Sequence, residues 1–138
     1  MSAALAPELA RLVEAARLAR ERAYAPYSGF RVGAAIETAS GAVYSGANVE
    51  NASYGATTCA ERVAVGCMVA GGEHAIARVA VYAEGPTISM PCGICRQVLG
   101  EFGANATIVS AGPGGSRTLV LSELLPFPFS FTPPGGTS

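Results

Sequence analysis

Three cysteines and one glutamate stand out as residues that could do chemistry together. In Pro91-Cys92-Gly93-Ile94-Cys95 two thiols lie three residues apart at the start of a helix-forming run, on one face of its first turn. Thr58-Cys59-Ala60-Glu61 places a third thiol and a carboxylate where another helix opens. The unpaired N–H groups and positive dipole end of a helix start stabilise thiolates. Two such starts aimed at one point could hold Zn²⁺ through three sulfurs. Alone, the C-x-x-C fits a redox pair or a structural half-site as well as a catalytic one. Joined to Cys59-Ala60-Glu61, it points to catalytic zinc.

Counting ligands separates the two kinds of zinc site, because structural zinc takes four protein ligands and catalytic zinc keeps one position open. Cys67 lies about 12 Å further along the Cys59 helix, too far to share the ion, and its valine neighbours suggest core packing. His74 follows the helix-ending Gly71-Gly72 and suits a surface loop. Water is left for the fourth position and Glu61 for the general acid/base, provided that Cys59 sits at the helix margin. Arg62 and Arg96, each next to a ligand, are placed to offset the negative charge of three thiolates.

Composition removes other chemistries. All nine cations are Arg and all ten anions are Glu, so lysine Schiff bases and aspartate dyads are impossible. The single histidine excludes a metal site of two or three imidazoles within the chain. A net charge of −1 offers no field for a polymeric nucleic acid. No apolar run reaches the ~18 residues of a membrane span. Glu8, Arg11 and Glu14 occupy the region where an export signal would be apolar, so the expected compartment is a reducing cytoplasm.

The elements that must position these residues follow from periodicity. Residues 7 to 24 carry a three-four apolar stripe and should form a helix that Ala25-Pro26 ends. Segments 30–36 and 43–48 read as a hairpin turning at Ser40-Gly41, in which Gly33, Ala34 and Ala35 permit close packing. Helices are expected over 57–69 and 92–102, and buried strands over 76–82 and 106–109. After a loop at 112–115 come a short strand or turn and the segment 122–125. With half of the residues hydrophobic, 138 residues suit one domain. The expected fold class is α/β: a three-layer α/β/α sandwich with a mixed sheet and an antiparallel hairpin at one edge. Its single domain spans 1–132, with a mobile tail at 133–138.

Asn48-Val49-Glu50-Asn51-Ala52-Ser53-Tyr54-Gly55, Cys59-Ala60-Glu61-Arg62 and Pro91-Cys92-Gly93-Ile94-Cys95-Arg96-Gln97 resemble the cytidine deaminase family, of the small homotetrameric type. Tyr27-Ser28-Gly29-Phe30-Arg31-Val32-Gly33-Ala34-Ala35 and Leu124-Leu125-Pro126 match it too, in family order. The resemblance implies one Zn²⁺ per subunit on Cys59, Cys92 and Cys95. It implies hydrolytic deamination of cytidine and deoxycytidine in pyrimidine salvage, by zinc-bound hydroxide attack at ring carbon 4 with Glu61 as proton shuttle. The Ala60 N–H would hold the ring carbonyl oxygen, Phe30 and Phe129 (or Phe127 in its place) would flank the base or line its pocket, and Asn48 and Glu50 would hold the ribose 3′-hydroxyl. Tyr54 would reach a neighbouring subunit of a homotetramer whose sites are completed across the contact.

A carboxylate beside the sugar repels a 5′-phosphate, which favours a free nucleoside as the small-molecule substrate. Related aminopyrimidine nucleosides of the blasticidin type are the alternative substrate. A structural-zinc interaction module and a thiol-redox protein are the remaining readings.

Overall fold

The computed structural model describes residues 4–131; the expected tail at 133–138 lies outside them. Helix α1 (Pro7–Arg20) leads into the hairpin β1 (Val32–Thr38) and β2 (Val43–Ala47). A 3₁₀ turn (Tyr54–Ala56) and α2 (Ala60–Ala70) precede β3 (Ile76–Ala83) and α3 (Gly93–Phe102). Then come β4 (Thr107–Gly112), β5 (Gly115–Val120) and the short α4 (Leu121–Leu124). Among the described residues no helix is long and apolar enough to cross a membrane.

The strands form one sheet in the order β2-β1-β3-β4-β5. Only β3 and β4 are parallel, joined by the α3 crossover; every other pair is antiparallel. On one face α1 packs Leu12 and Ala16 against Ala35, Ala80 and Val109. On the other, residues of α2, α3 and α4, including Ala64, Met68, Leu99 and Leu121, cover Ile36, Val79 and Ile108. Each large aliphatic side chain fully buried in this way contributes about 1.5–3 kcal/mol. The sandwich therefore has the expected three layers and mixed sheet, with antiparallel hairpins at both edges.

Topology fixes where the chemistry lies. Both β2 and β3 run antiparallel to β1, so they run in the same direction as each other. The connections leaving them therefore emerge at the same end of the sheet, and the N-termini of α2 and α3 begin there.

Three local expectations give way to tertiary pairing. Helix α1 stops at Arg20 rather than at 24, because the Tyr24 N–H donates to the Asn48 carbonyl at 3.0 Å and the Tyr24 carbonyl accepts the Glu50 N–H at 2.9 Å. Helix α2 starts at Ala60 rather than 57, because Thr58 and Val49 exchange two backbone bonds of 2.9 Å. Cys67 is exposed, not core. The buried residues of α2 are Ala60, Glu61, Ala64, Val65 and Met68, which puts position 67 on the opposite face.

Two glycines set the depth of the layers. A Cβ on Gly33 would lie 1.9 Å from the Ala16 carbonyl oxygen of α1, and one on Gly46 2.6 Å from the Ala64 nitrogen of α2. Helix backbone rests directly on the hairpin at both positions, one on each face. Gly33→Ala should destabilise the fold by about 1–3 kcal/mol. A denaturation midpoint equal to that of the parent protein would contradict this packing.

Candidate active site

Cys59 is the residue that precedes α2 and Cys92 the one that precedes α3, both with extended backbones and neither making a side-chain capping bond. Cys95 lies within the first turn of α3, completely buried. Their three sulfurs all lie within 4.8 Å of one another. The helix-margin position required of Cys59 is thus the one it occupies, and it frees Glu61 to share the site. Cys67 and His74 are exposed and do not join the cluster.

The thiols are electrostatically unequal. The Cys95 thiol, and after it the Arg62 guanidinium, pull Cys59 down to about 5. Cys95 is pushed upward by the same hydrogen bond and by burial. The pair thus favours the thiolate at Cys59, with the Cys95 thiol as its donor. Arg62 donates to Cys59 Sγ at 3.6 Å and to the Thr57 carbonyl at 3.4 Å, while its buried Nε has no protein partner. Three clustered sulfurs, two uncapped helix starts and a half-buried guanidinium that offsets their negative charge suit a thiophilic dication, and zinc fits this donor set.

Glu61 is 5% exposed, and burial, reinforced by the charge of Cys59, holds it above the ordinary carboxylate range. It lines a cavity of about 260 Å³ together with Cys59, Ala60, Cys92, Phe30 and Asn48. The site thus joins a proton carrier to a soft metal centre, an arrangement suited to activating water for attack on a polarised C–N bond.

Residues 48–50, clamped by the Tyr24 and Thr58 pairings, supply Asn48 and Glu50 to the same lining. Asn48 is committed to backbone on both sides: its Oδ1 accepts the Val32 N–H and its Nδ2 donates to the Phe30 carbonyl, each at 2.9 Å. Glu50 accepts the Tyr27 N–H at 2.9 Å, the Ser28 N–H at 3.1 Å and the Ser28 hydroxyl. The Ser28 hydroxyl chiefly, and then these amides, hold Glu50 below the usual carboxylate range. A second cavity of about 310 Å³, walled by Tyr27, Asn51 and Tyr54, shares Ser28, Glu50 and Thr57 with the first.

Other residues lie away from these walls. Arg96 touches no sulfur: it donates to the Pro91 carbonyl at 2.7 Å and to the Leu124 carbonyl at 3.1 Å. One residue beyond Cys95 is a rotation of about 100° around the helix, so it holds the Cys92 turn through backbone instead. Tyr54 is 84% and Phe129 75% exposed, and neither lines the thiol cavity; the Phe129 carbonyl accepts Gln97 Nε2 at 2.9 Å. The cavity also includes Ser28, Thr57, Val81, Ala83, Ser89 and Met90, none of which the sequence singled out as a site residue. Val81 and Ala83 become visible only once the β1–β3 register is known.

A zinc-dependent deaminase is the class that this fold and site define. The family model of the cytidine and deoxycytidylate deaminase zinc-binding region matches residues 7–111. A cytidine deaminase of Halalkalibacterium halodurans is 45% identical over 121 residues, spanning 86% of this chain and 92% of the relative. That of Mycobacterium tuberculosis H37Rv is 45% identical over 109 residues, 78% of each. The crystal structure of cytidine deaminase from Burkholderia pseudomallei has a TM-score of 0.84 at 44% identity, covering 91% of this chain and 100% of that one. The chain belongs to the cytidine and deoxycytidylate deaminase family.

Metal analysis of purified protein should give one zinc per chain. Cys67→Ala should keep it, and Cys92→Ala should lose it together with part of the stability. Full zinc in the Cys92 variant would refute the ligand set.

Proposed function

We propose that this protein hydrolyses free cytidine and deoxycytidine to uridine and deoxyuridine with release of ammonia. The observation that carries this is the buried Glu61 beside three clustered thiols, in a cavity that is also lined by the fixed carboxylate of Glu50. Cys59, Cys92 and Cys95 would hold zinc, which when bound supplies a water acidic enough to act as a nucleophile near neutral pH. Glu61 takes a proton from water and gives it to ring nitrogen 3, which makes carbon 4 more electrophilic. The oxygen of that water bonds to carbon 4; Glu61 then takes the proton of the new hydroxyl and passes it to the amino nitrogen, which leaves as ammonia as its bond to carbon 4 breaks and the carbonyl forms. A raised proton affinity suits a residue that must accept and release a proton within one turnover.

Ala60, at the open start of α2, offers its N–H to the ring carbonyl oxygen. Phe30 covers the base, while Asn48 and Glu50 face the 3′-hydroxyl. Two functions fit Asn48 together: its backbone bonds fix Phe30, and its remaining amide proton and lone pair are free for the sugar. Glu50, kept ionised by its three donors, repels a phosphate brought close to it. Arg62 balances the sulfurs. Tyr54 and Phe129, exposed in the single chain, serve sites completed between subunits of a homotetramer, working in the cytoplasm on salvaged nucleosides.

Ammonia release should be seen with cytidine and not with cytidine monophosphate. Turnover of the monophosphate at a comparable rate would overturn the exclusion attributed to Glu50. Glu61→Gln should retain zinc and fold while losing about 10²–10⁴-fold in kcat. Near-normal turnover by that variant would remove Glu61 from the reaction.

A further inference from the structure

Glu50 and Phe30, assigned above to the sugar and the base, both line the cavity, and a single side chain joins them. The Ser28 hydroxyl donates to Glu50 Oε2 and accepts the Phe30 N–H at 3.0 Å. One hydroxyl can do both at once, since it has a proton to give and lone pairs to receive. Gly29 makes the link possible. Its φ of 70° turns the chain between residues 28 and 30, so that the amide two positions on reaches back to the serine oxygen. The other end of the Phe30 peptide is held by Asn48, through its carbonyl at 2.9 Å. Ser28 lines both the thiol cavity and the neighbouring one, and these cavities meet along Glu50.

We propose that Ser28 is a positioning residue that ties the sugar-facing carboxylate to the base-facing aromatic, so that a nucleoside is read as one unit. Removing the hydroxyl leaves Glu50 with two amide donors and lets its carboxylate turn about its side chain. It also leaves the Phe30 N–H without its acceptor, so one substitution loosens both walls. The two bonds of the Ser28 hydroxyl go to Glu50 and Phe30 and neither goes to Glu61, so its effect falls on binding.

The inference rests on Glu50 contacting the substrate, and the test separates the two claims. KM and kcat for cytidine are measured for the parent protein, Ser28→Ala, Ser28→Thr, Glu50→Gln and the Ser28→Ala/Glu50→Gln double variant, with thermal melts confirming that each is folded. Ser28→Ala should raise KM about tenfold, the value of one hydrogen bond to a charged group, with kcat within about threefold of the parent. Ser28→Thr, which keeps the hydroxyl, should recover most of the loss. In the Glu50→Gln background the Ser28→Ala effect should shrink to about threefold or less, because its main partner has lost its charge. Should Ser28→Ala melt below the assay temperature, Ser28→Cys, a weak donor, carries the same expectation. If Glu50→Gln raises KM and Ser28→Ala does not, or if the two effects simply multiply, Ser28 is not the link. If Glu50→Gln leaves KM unchanged, the sugar-side role of Glu50 falls and the role of Ser28 falls with it.

Discussion

Three sulfurs held within 4.8 Å of one another are the constraint on which the rest of the structure depends. Once ionised they repel, and a fold that gathers them must supply compensating positive charge. Part comes from geometry: two of the three cysteines stand at the entrance to a helix, where amides are unpaired and the dipole is positive. Part comes from Arg62, half-buried against Cys59 with its buried Nε left unpartnered. Zinc supplies the remainder, and its bonds to thiolate stabilise the folded chain as well as creating the site. The sheet makes this gathering possible, since parallel-running β2 and β3 release their helices at one end.

The same end of the sheet carries Asn48 and Glu50, which line one cavity with Cys59 and Cys92. Backbone bonds from Tyr24 and Thr58 grip Val49 from both sides, which leaves the side chains of Asn48 and Glu50 little freedom. Rigid backbone beneath a binding residue reduces the ordering cost when ligand arrives. Residues 48–50, which follow β2, and the cysteines at the starts of α2 and α3 thus line one cavity from neighbouring elements rather than from separate lobes. A change in hairpin packing, as at Gly33 or Gly46, should therefore be felt at the site as well as in stability.

Much of the site was legible because its signals are local. The Cys59-Ala60-Glu61 and Pro91-Cys92-Gly93-Ile94-Cys95 segments announce helix starts bearing ligands, and the apolar runs announce buried strands. What escaped the sequence depends on contacts between distant residues. Arg96 reads as a neighbour of sulfur until the Leu124 carbonyl, far along the chain, is seen to take its guanidinium. Cys67 lies among valines and suggests core, but the helical register turns it outward. The early end of α1 and late start of α2 both arise from pairing to Val49, which no propensity contains. Ser28 carries no signal of its own, and its two bonds become visible only where the turn at Gly29 brings 28, 30 and 50 together.

The central claim is that three thiolates of one chain hold a zinc ion and leave its remaining position for chemistry. X-ray absorption at the zinc edge of the purified protein tests it most directly. The account predicts three sulfur scatterers and one lighter atom in the first coordination shell. Four sulfurs, with Cys67 or a cysteine from another chain supplying the last, would make the centre structural and would contradict the account.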